Sequence, residues 1–469
     1  EDYTTIQTLP NLDYKIMQGN SLIEEFHGIS LDIQKKPDEQ MEAFSGGGNL
    51  DTLIDALHKK QADFFNAEHP QDKKKKRDDV ENSIYNIFNN ELGKTTGLAG
   101  SEKKKIGAEL KEMTHGNKIR NFFPWKLYFV DIFREGGGFD VVIANPPYGA
   151  SLNKNDKALF KEIYSNVHMR TPDSFNYFIS LSFILMKSDG IISFIVPNNL
   201  LYQTEYEKTR RLLVEKYIMI STINLGDGVF DTVTVPSCVF ISKKNESGNY
   251  DFFNYADFRG FKSIRTDFNN YLQKNHISQI LDVPALVFGV SRETIYIINK
   301  ISNKSETIDE LALEVASGIS TGGDKIFRKS NSDCENLNIE HEILKPVLIG
   351  SEIDKYSIID NNHSVIYSER KIDINKYKNI KSYLFNFKDK LSKRSECQSG
   401  VLPWYSLNRQ RYHNLFLENK IIMRQTSDCI RATIDTNGYY VLDSILIFKI
   451  KDLSKYDYKF CLALLNSKI

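Results

Sequence analysis

Cysteine is scarce in this chain of 469 residues, and the five present (Cys238, Cys334, Cys397, Cys429, Cys461) show no paired spacing. That pattern argues against a disulfide framework and a cysteine zinc site, and it favours a reducing cytoplasm. A charge excess of either sign is also missing, because 61 Lys and Arg balance 61 Asp and Glu. The balance argues against a polyelectrolyte-style nucleic-acid binder, while a neutral total still leaves room for a local basic cleft. The apolar stretch Asp173–Met186 is too interrupted by polar residues to span a membrane, and no membrane association is expected. Proline is sparse at 12 residues, yet two stand side by side at 146 and 147. The length suffices for two or three domains, each with its own core.

The adjacent prolines close the most informative segment, Phe139-Asp-Val-Val-Ile-Ala-Asn-Pro-Pro-Tyr148. Val141 to Ala144 reads as a buried strand. Proline donates nothing to a sheet ladder and fixes its own backbone, so the strand stops there. Its carboxyl end then presents an amide, a fixed carbonyl and a ring. That set suits methylation of an exocyclic amino group, whose lone pair is otherwise delocalised into the ring. The Asn145 side-chain oxygen and the Pro146 carbonyl would accept its two N–H bonds and favour a pyramidal nitrogen. Tyr148 would stack on a base flipped out of its duplex. A methyl on a sulfonium donor, held in line with the lone pair, would complete the arrangement. The plainer alternative is a strand-ending turn in which Asn caps and the prolines stiffen.

Phe139–Tyr148 resembles the catalytic motif of amino-methyltransferases that use S-adenosylmethionine. Its surroundings resemble the TaqI-like DNA adenine-N6 methyltransferases and the fused type IIG restriction–modification enzymes. The resemblance implies catalytic roles for Asn145, Pro146 and Tyr148, and contacts to S-adenosylmethionine from Asn20, Asn145 and Pro147. Asn11–Leu22 resembles the family's strand before the catalytic one, with Asn20 where a polar side chain meets the cofactor's adenine. A helix N-cap after a Gly turn is the compatible alternative for Asn20. Asp173–Met186 and Ile191–Val196 resemble the helix and strand after the catalytic loop. Within Leu225–Ile241, Phe230 matches the position that stacks on the flipped adenine opposite Tyr148. The family's Gly-rich cofactor turn has no match ahead of Asn20. Phe44-Ser-Gly-Gly-Gly48 follows no buried strand and is rejected for that role. The chain is therefore expected to be an internal segment of a longer enzyme.

Leu50–Phe65 and Val80–Leu92 have helical periodicity and are joined by the basic run Asp72–Arg77. That run is either a solvated face or a contact to a DNA backbone. Beyond residue 250 the chain grows rich in Asn, Lys, Tyr and Ile. Glu314–Phe327 resembles the opening of a target-recognition domain, and Asn419–Gln425, Ile430–Asp435 and Gly438–Tyr440 resemble its later strands. Arg409, Arg411, Arg424 and Arg431 are candidates for phosphate or guanine contacts, or ordinary surface arginines. A basic excess from Arg370 to Arg431 favours a surface facing DNA.

The expected fold class is α/β: a partial Rossmann-like methyltransferase domain with a helical insert and a C-terminal α+β target-recognition domain. Residues 1–30 and 121–250 belong to the methyltransferase domain, 31–120 to the insert and 251–469 to recognition of double-stranded DNA. No metal site is assigned, and a nuclease domain in the same parent chain is compatible with the resemblance. The rival readings are a DNA-binding component of a phage-defence complex and an amino-group methyltransferase for protein or RNA.

Overall fold

The computed structural model describes residues 14, 16–29, 31, 50–67, 69–116, 118–149, 152–171, 173–230, 235–245, 250–259, 268–281, 288–289 and 291–467. Asn11–Asp13, the Gly-rich Phe44–Gly48 and residues 231–234 of the expected hairpin lie outside them. The chain divides into two compact units, residues 1–300 and 301–469. No helix among the described residues is long and apolar enough to cross a membrane.

The first unit is built on a sheet of six strands: β1 (Phe139–Ala144), β2 (Met186–Pro197), β3 (Tyr217–Gly226), β4 (Ser237–Lys244), β5 (Phe252–Asp257) and β6 (Gln273–His276). Their spatial order is β1-β2-β4-β3-β5-β6. β1 is parallel to β2, β4 runs against both β2 and β3, and β3 is parallel to β5. Alternation in β2 places Ile192, Phe194 and Val196 in the core. The helix Ser174–Leu185 packs on this core and buries Phe175, Tyr177, Ile179, Leu181 and Leu185. A helix this apolar on several sides needs cover on several sides, which suits a place inside the unit.

Three features differ from expectation. β1 is not a buried strand, since Val141 is 50% and Ile143 77% exposed. Among the described residues it pairs only with β2, and none of them covers the face that carries Val141 and Ile143. The basic run Asp72–Arg77 is not a connector but part of the helix Pro70–Lys94. Proline in its first turn and the good helix formers Lys and Arg explain the earlier start. The sheet also continues through β5 and β6, so the C-terminal unit begins at Ile301 rather than at 251.

The insert consists of α1 (Leu50–Phe65), α2 (Pro70–Lys94) and α3 (Gly100–Thr114). Ile54, Leu57 and Phe64 of α1 pack with Val80, Ile84, Ile87 and Phe88 of α2, the spacing of one helical face. Glu81 is enclosed with Tyr14, Tyr128 and Arg120. Tyr128 donates to its carboxylate at 3.0 Å and Arg120 at 3.2 Å.

The second unit holds two four-stranded sheets. In one, Lys420–Arg424 pairs with Ala432–Asp435 on one side and Ile445–Ile450 on the other, and the last of these pairs with Ala312–Ser317. The segment resembling the opening of a recognition domain and two of those resembling its later strands thus meet in one sheet, while Tyr440, of the third, pairs with Val347 in the other. Gly318 follows the opening strand where a Cβ would lie 2.2 Å from the Val441 carbonyl oxygen, so only glycine fits.

Candidate active site

Since β1, β2 and β3 point one way and β4 the other, four strand ends share one edge of the sheet. Asn145-Pro146-Pro147-Tyr148 leaves β1 there, Pro197–Asn199 leaves β2, and the chain from Gly226 to Phe230 leaves β3. Ser237 opens β4 opposite both Pro197 and Gly226. The carboxyl edge of parallel strands is where α/β sheets bind ligands, because loops converge there without closing the space.

The loop after β1 is braced from the start of the helix Ser174–Leu185. Ser174 Oγ donates to the Pro147 carbonyl at 2.6 Å, and the Gly149 N–H reaches both carboxylate oxygens of Asp173 at 3.2 Å. Asp173 sits at the helix N-cap, but its side chain does not cap its own helix. Gly149 has φ +61°, and a Cβ there would meet nothing within 4 Å, so backbone handedness rather than space requires glycine. Asp173 and Ser174 were not singled out from sequence. Their signal was a polar pair opening an otherwise apolar helix.

With the Pro147 carbonyl capped, the Asn145 amide and the Pro146 carbonyl have no hydrogen bond to any described residue. Asn145 and Pro147 are exposed, Pro146 is buried and Tyr148 is half-buried. The Tyr148 hydroxyl is buried and without a hydrogen bond of good geometry. Burial pushes this phenol above its ordinary pKa, with the Ser237 hydroxyl pulling the other way. The phenol is therefore neutral at physiological pH and can offer a face to a base without competing charge.

The neighbouring strand ends are fixed too. Asn198 Nδ2 donates to Asn224 Oδ1 at 3.0 Å, linking the ends of β2 and β3. The fully buried Arg210 donates to the carbonyls of Leu200 and Gln203, each at 2.7 Å, and burial pushes its pKa down to about 10. Phe230 is half-buried at the end of the segment leaving β3.

Asn20 Oδ1 accepts the Leu22 N–H at 3.2 Å, a local turn contact. The Tyr164 hydroxyl donates to the Leu22 carbonyl at 2.7 Å and Trp125 Nε1 to the Ser21 carbonyl at 3.0 Å, anchoring this segment to the unit's core. The turn contact uses the Asn20 oxygen, and its amide nitrogen has no hydrogen bond to any described residue. Among the described residues no strand, glycine turn and helix combine into a cradle for a nucleotide. The open Asn145 amide at the end of β1 is compatible with one end of a sulfonium cofactor and not with its whole length.

The four arginines gather in two pairs within the second unit. Arg409 and Arg411 both reach Ser317 Oγ, at 3.1 and 3.0 Å, and Arg411 Nε also donates to the Ser317 carbonyl. Arg424 Nε donates to the Ile353 carbonyl at 2.7 Å, while Arg431 pairs with Asp354 and Asp428. Of the four, Arg409 alone is an exposed residue. Glu352, Asp360 and His363 offer ligand atoms within 4.8 Å of one another. Glu352 already pairs with the Arg328 guanidinium, which places a fixed positive charge where a cation would sit.

Comparison with known proteins extends this picture. Residues 23–230 match the Eco57I restriction-modification methylase family, and residues 345–469 match the TaqI-like C-terminal specificity domain. The putative type II restriction enzyme and methyltransferase RM.MjaORFECS2P of Methanocaldococcus jannaschii is 25% identical over 506 residues, covering 98% of this chain and 38% of its own length. The type II restriction enzyme and methyltransferase RM.Eco57I of Escherichia coli is 23% identical over 374 residues, covering 70% of this chain and 37% of its own. The chain thus spans less than two-fifths of these relatives. Among solved structures, the type IIL restriction-modification enzyme MmeI in complex with DNA aligns at a TM-score of 0.49 and 10% identity, over 86% of this chain and 60% of that one. The chain thus contains, in order, a region similar to the Eco57I restriction-modification methylase family and a region similar to the TaqI-like C-terminal specificity domain, and its relatives include type II restriction enzymes and methyltransferases.

Proposed function

We propose that this chain supplies the amino-group acceptor half of a DNA adenine-N6 methyltransferase. The observation that carries the reading is the pair of open acceptors, Asn145 Oδ1 and the Pro146 carbonyl, beside the half-buried ring of Tyr148. An exocyclic amino group has two N–H bonds, and two acceptors held on one rigid loop match them. Accepting both draws the nitrogen out of conjugation and localises its lone pair, a stabilisation that grows as positive charge develops. Tyr148 and Phe230 hold the flipped base from its two faces, and unstacking is offset by this sandwich. S-adenosylmethionine, when bound, supplies a methyl group on a sulfonium. Asn20, Asn145 and Pro147 are the residues that would hold it in this chain. Asn145 and Pro146 set the direction of the lone pair, and Ser174 and Asp173 keep the loop in that pose.

The specificity domain favours duplex DNA as the partner, with Arg409 the best placed of the four arginines for a phosphate or guanine. A DNA substrate and unpaired cysteines both fit a cytoplasmic protein. Cleavage, which the relatives' names include, is proposed for a nuclease region of the full-length protein and not for these residues. The test is single-molecule sequencing of DNA from cells expressing the full-length protein. N6-methyladenine confined to one short motif is expected. Soluble protein without any methyladenine would refute the reading and favour a protein or RNA substrate, or a DNA-binding defence component.

A further inference from the structure

Residues 370–393 contain eight basic and two acidic side chains in a chain of zero net charge. Arg370, Lys371, Lys376, Lys378, Lys381 and Lys388 are all exposed, and Lys390 and Lys393 beyond them are too. The helix Lys378–Phe385 fixes where part of this charge points. Its Ile380 and Leu384 are fully buried in the unit's core, so Lys378, Lys381 and Phe385, spaced three and four apart, share the outer face. They line one open groove of about 510 Å³ with Asn375 and Ser382. Lys388, from the following helix Lys388–Ser392, holds its ammonium over the rings of Phe385 at 5.3 Å and Trp404 at 5.8 Å. Lys381 donates to the neutral Asn375 side chain at 2.8 Å. Among the described residues no carboxylate pairs with Lys378, Lys381 or Lys388. The arginines singled out from sequence differ, since three of the four are held by carbonyls or carboxylates of their own unit.

Like charges three residues apart repel and destabilise a helix unless an anion joins them. A regular row of anions is what duplex DNA offers, with one charge per roughly 1.7 Å of helix axis. We propose that this lysine face binds the phosphate backbone of duplex DNA without regard to sequence, a proposal that rests on the DNA reading above. It would position the specificity domain, leaving base discrimination to other residues. A membrane surface is the lesser fit, because the face exposes one aromatic ring and lies within the specificity-domain match that begins at residue 345.

The test compares the 469-residue chain, its K378A/K381A variant and a control, K451A/K459A, that removes two exposed lysines elsewhere in the same unit. Binding to a 30-base-pair duplex and to an unrelated duplex is measured across salt concentrations. K378A/K381A is expected to bind both duplexes roughly tenfold more weakly at 0.1 M salt, with a log–log salt slope shallower by about two. The control should match the wild type. Should wild type bind DNA while K378A/K381A keeps its affinity and slope, this face is overturned and the DNA reading stands. If the wild type binds neither duplex, both fall. Lysine-dependent binding to vesicles rich in anionic lipid, without binding to duplex, would overturn the face in favour of a membrane. A charge-reversed K378E/K381E chain with native circular dichroism repeats the comparison should the alanine pair prove unstable.

Discussion

Ser174 and Pro147, 27 residues apart, meet in a hydrogen bond of 2.6 Å that fixes which carbonyls of the loop after β1 remain open. Removing the donor by Ser174→Ala frees the Pro147 carbonyl and lets the loop sample other poses. The lost bond alone is worth about 1 kcal/mol of stability. Misplacing reacting groups is costlier to rate, so kcat for methyl transfer is expected to fall roughly ten- to hundredfold with KM for DNA little changed. Single-turnover transfer alongside a thermal melt checks this. An unchanged kcat would mean the brace is structural only.

The buried, unbonded hydroxyl of Tyr148 separates its ring from its polar group. Tyr148→Phe keeps the stacking face and removes an unsatisfied oxygen, so activity is expected within a fewfold of wild type. Tyr148→Ala and Phe230→Ala lose the face and should weaken capture of the flipped base. Fluorescence of 2-aminopurine at the target position reads this directly. A Phe variant as impaired as the Ala variant would show that the hydroxyl, not the ring, matters.

Glu81 in the insert gives a pH dependence of defined sign. Burial raises its carboxyl above the ordinary 4.5, against the opposing pull of Arg120 and the Tyr128 and Tyr14 hydroxyls. The folded chain therefore keeps this proton over a pH range in which the unfolded chain has lost it. Its contribution is greatest at and below pH 4.5 and declines as pH rises through the raised folded value. Glu81→Gln should flatten that part of the stability profile, measured by urea unfolding at a series of pH values. A profile identical to wild type would contradict the assignment.

Lys420 and Asp435 form an ion pair with both side chains 0% exposed. Asp435 also accepts the N–H groups of Asn437 at 2.8 Å and Tyr439 at 2.9 Å, tying down the turn after its strand. Lys420→Met leaves a buried carboxylate without its cation and is expected to cost about 3–5 kcal/mol. The double variant K420M/D435L should recover part of that loss, by chemical denaturation. Equal losses in the single and double variants would show that the turn bonds outweigh the charge.

The loop after β1 was legible because double proline after an apolar run forces a strand to end in one way. The recognition segments were legible as strands for the same reason of pattern, and Lys420–Arg424 and Ala432–Asp435 pair accordingly. What escaped sequence reasoning was set by long-range contacts. Val141 and Ile143 look buried by composition, but exposure depends on what covers the strand. Asp173 and Ser174 act on a loop more than twenty residues earlier, a distance no local pattern encodes. Arg411, Arg424 and Arg431 resemble free cations in sequence, and only the fold reveals the carbonyls and carboxylates they hold.

Single-turnover transfer of labelled methyl from S-adenosylmethionine to duplex DNA by the full-length protein, with and without Asn145→Ala, tests the open acceptor pair most directly. Loss of transfer by at least a hundredfold with DNA affinity unchanged within a fewfold is the predicted result, since one of two acceptors on the amino nitrogen is gone. Transfer at the wild-type rate by Asn145→Ala would contradict the account.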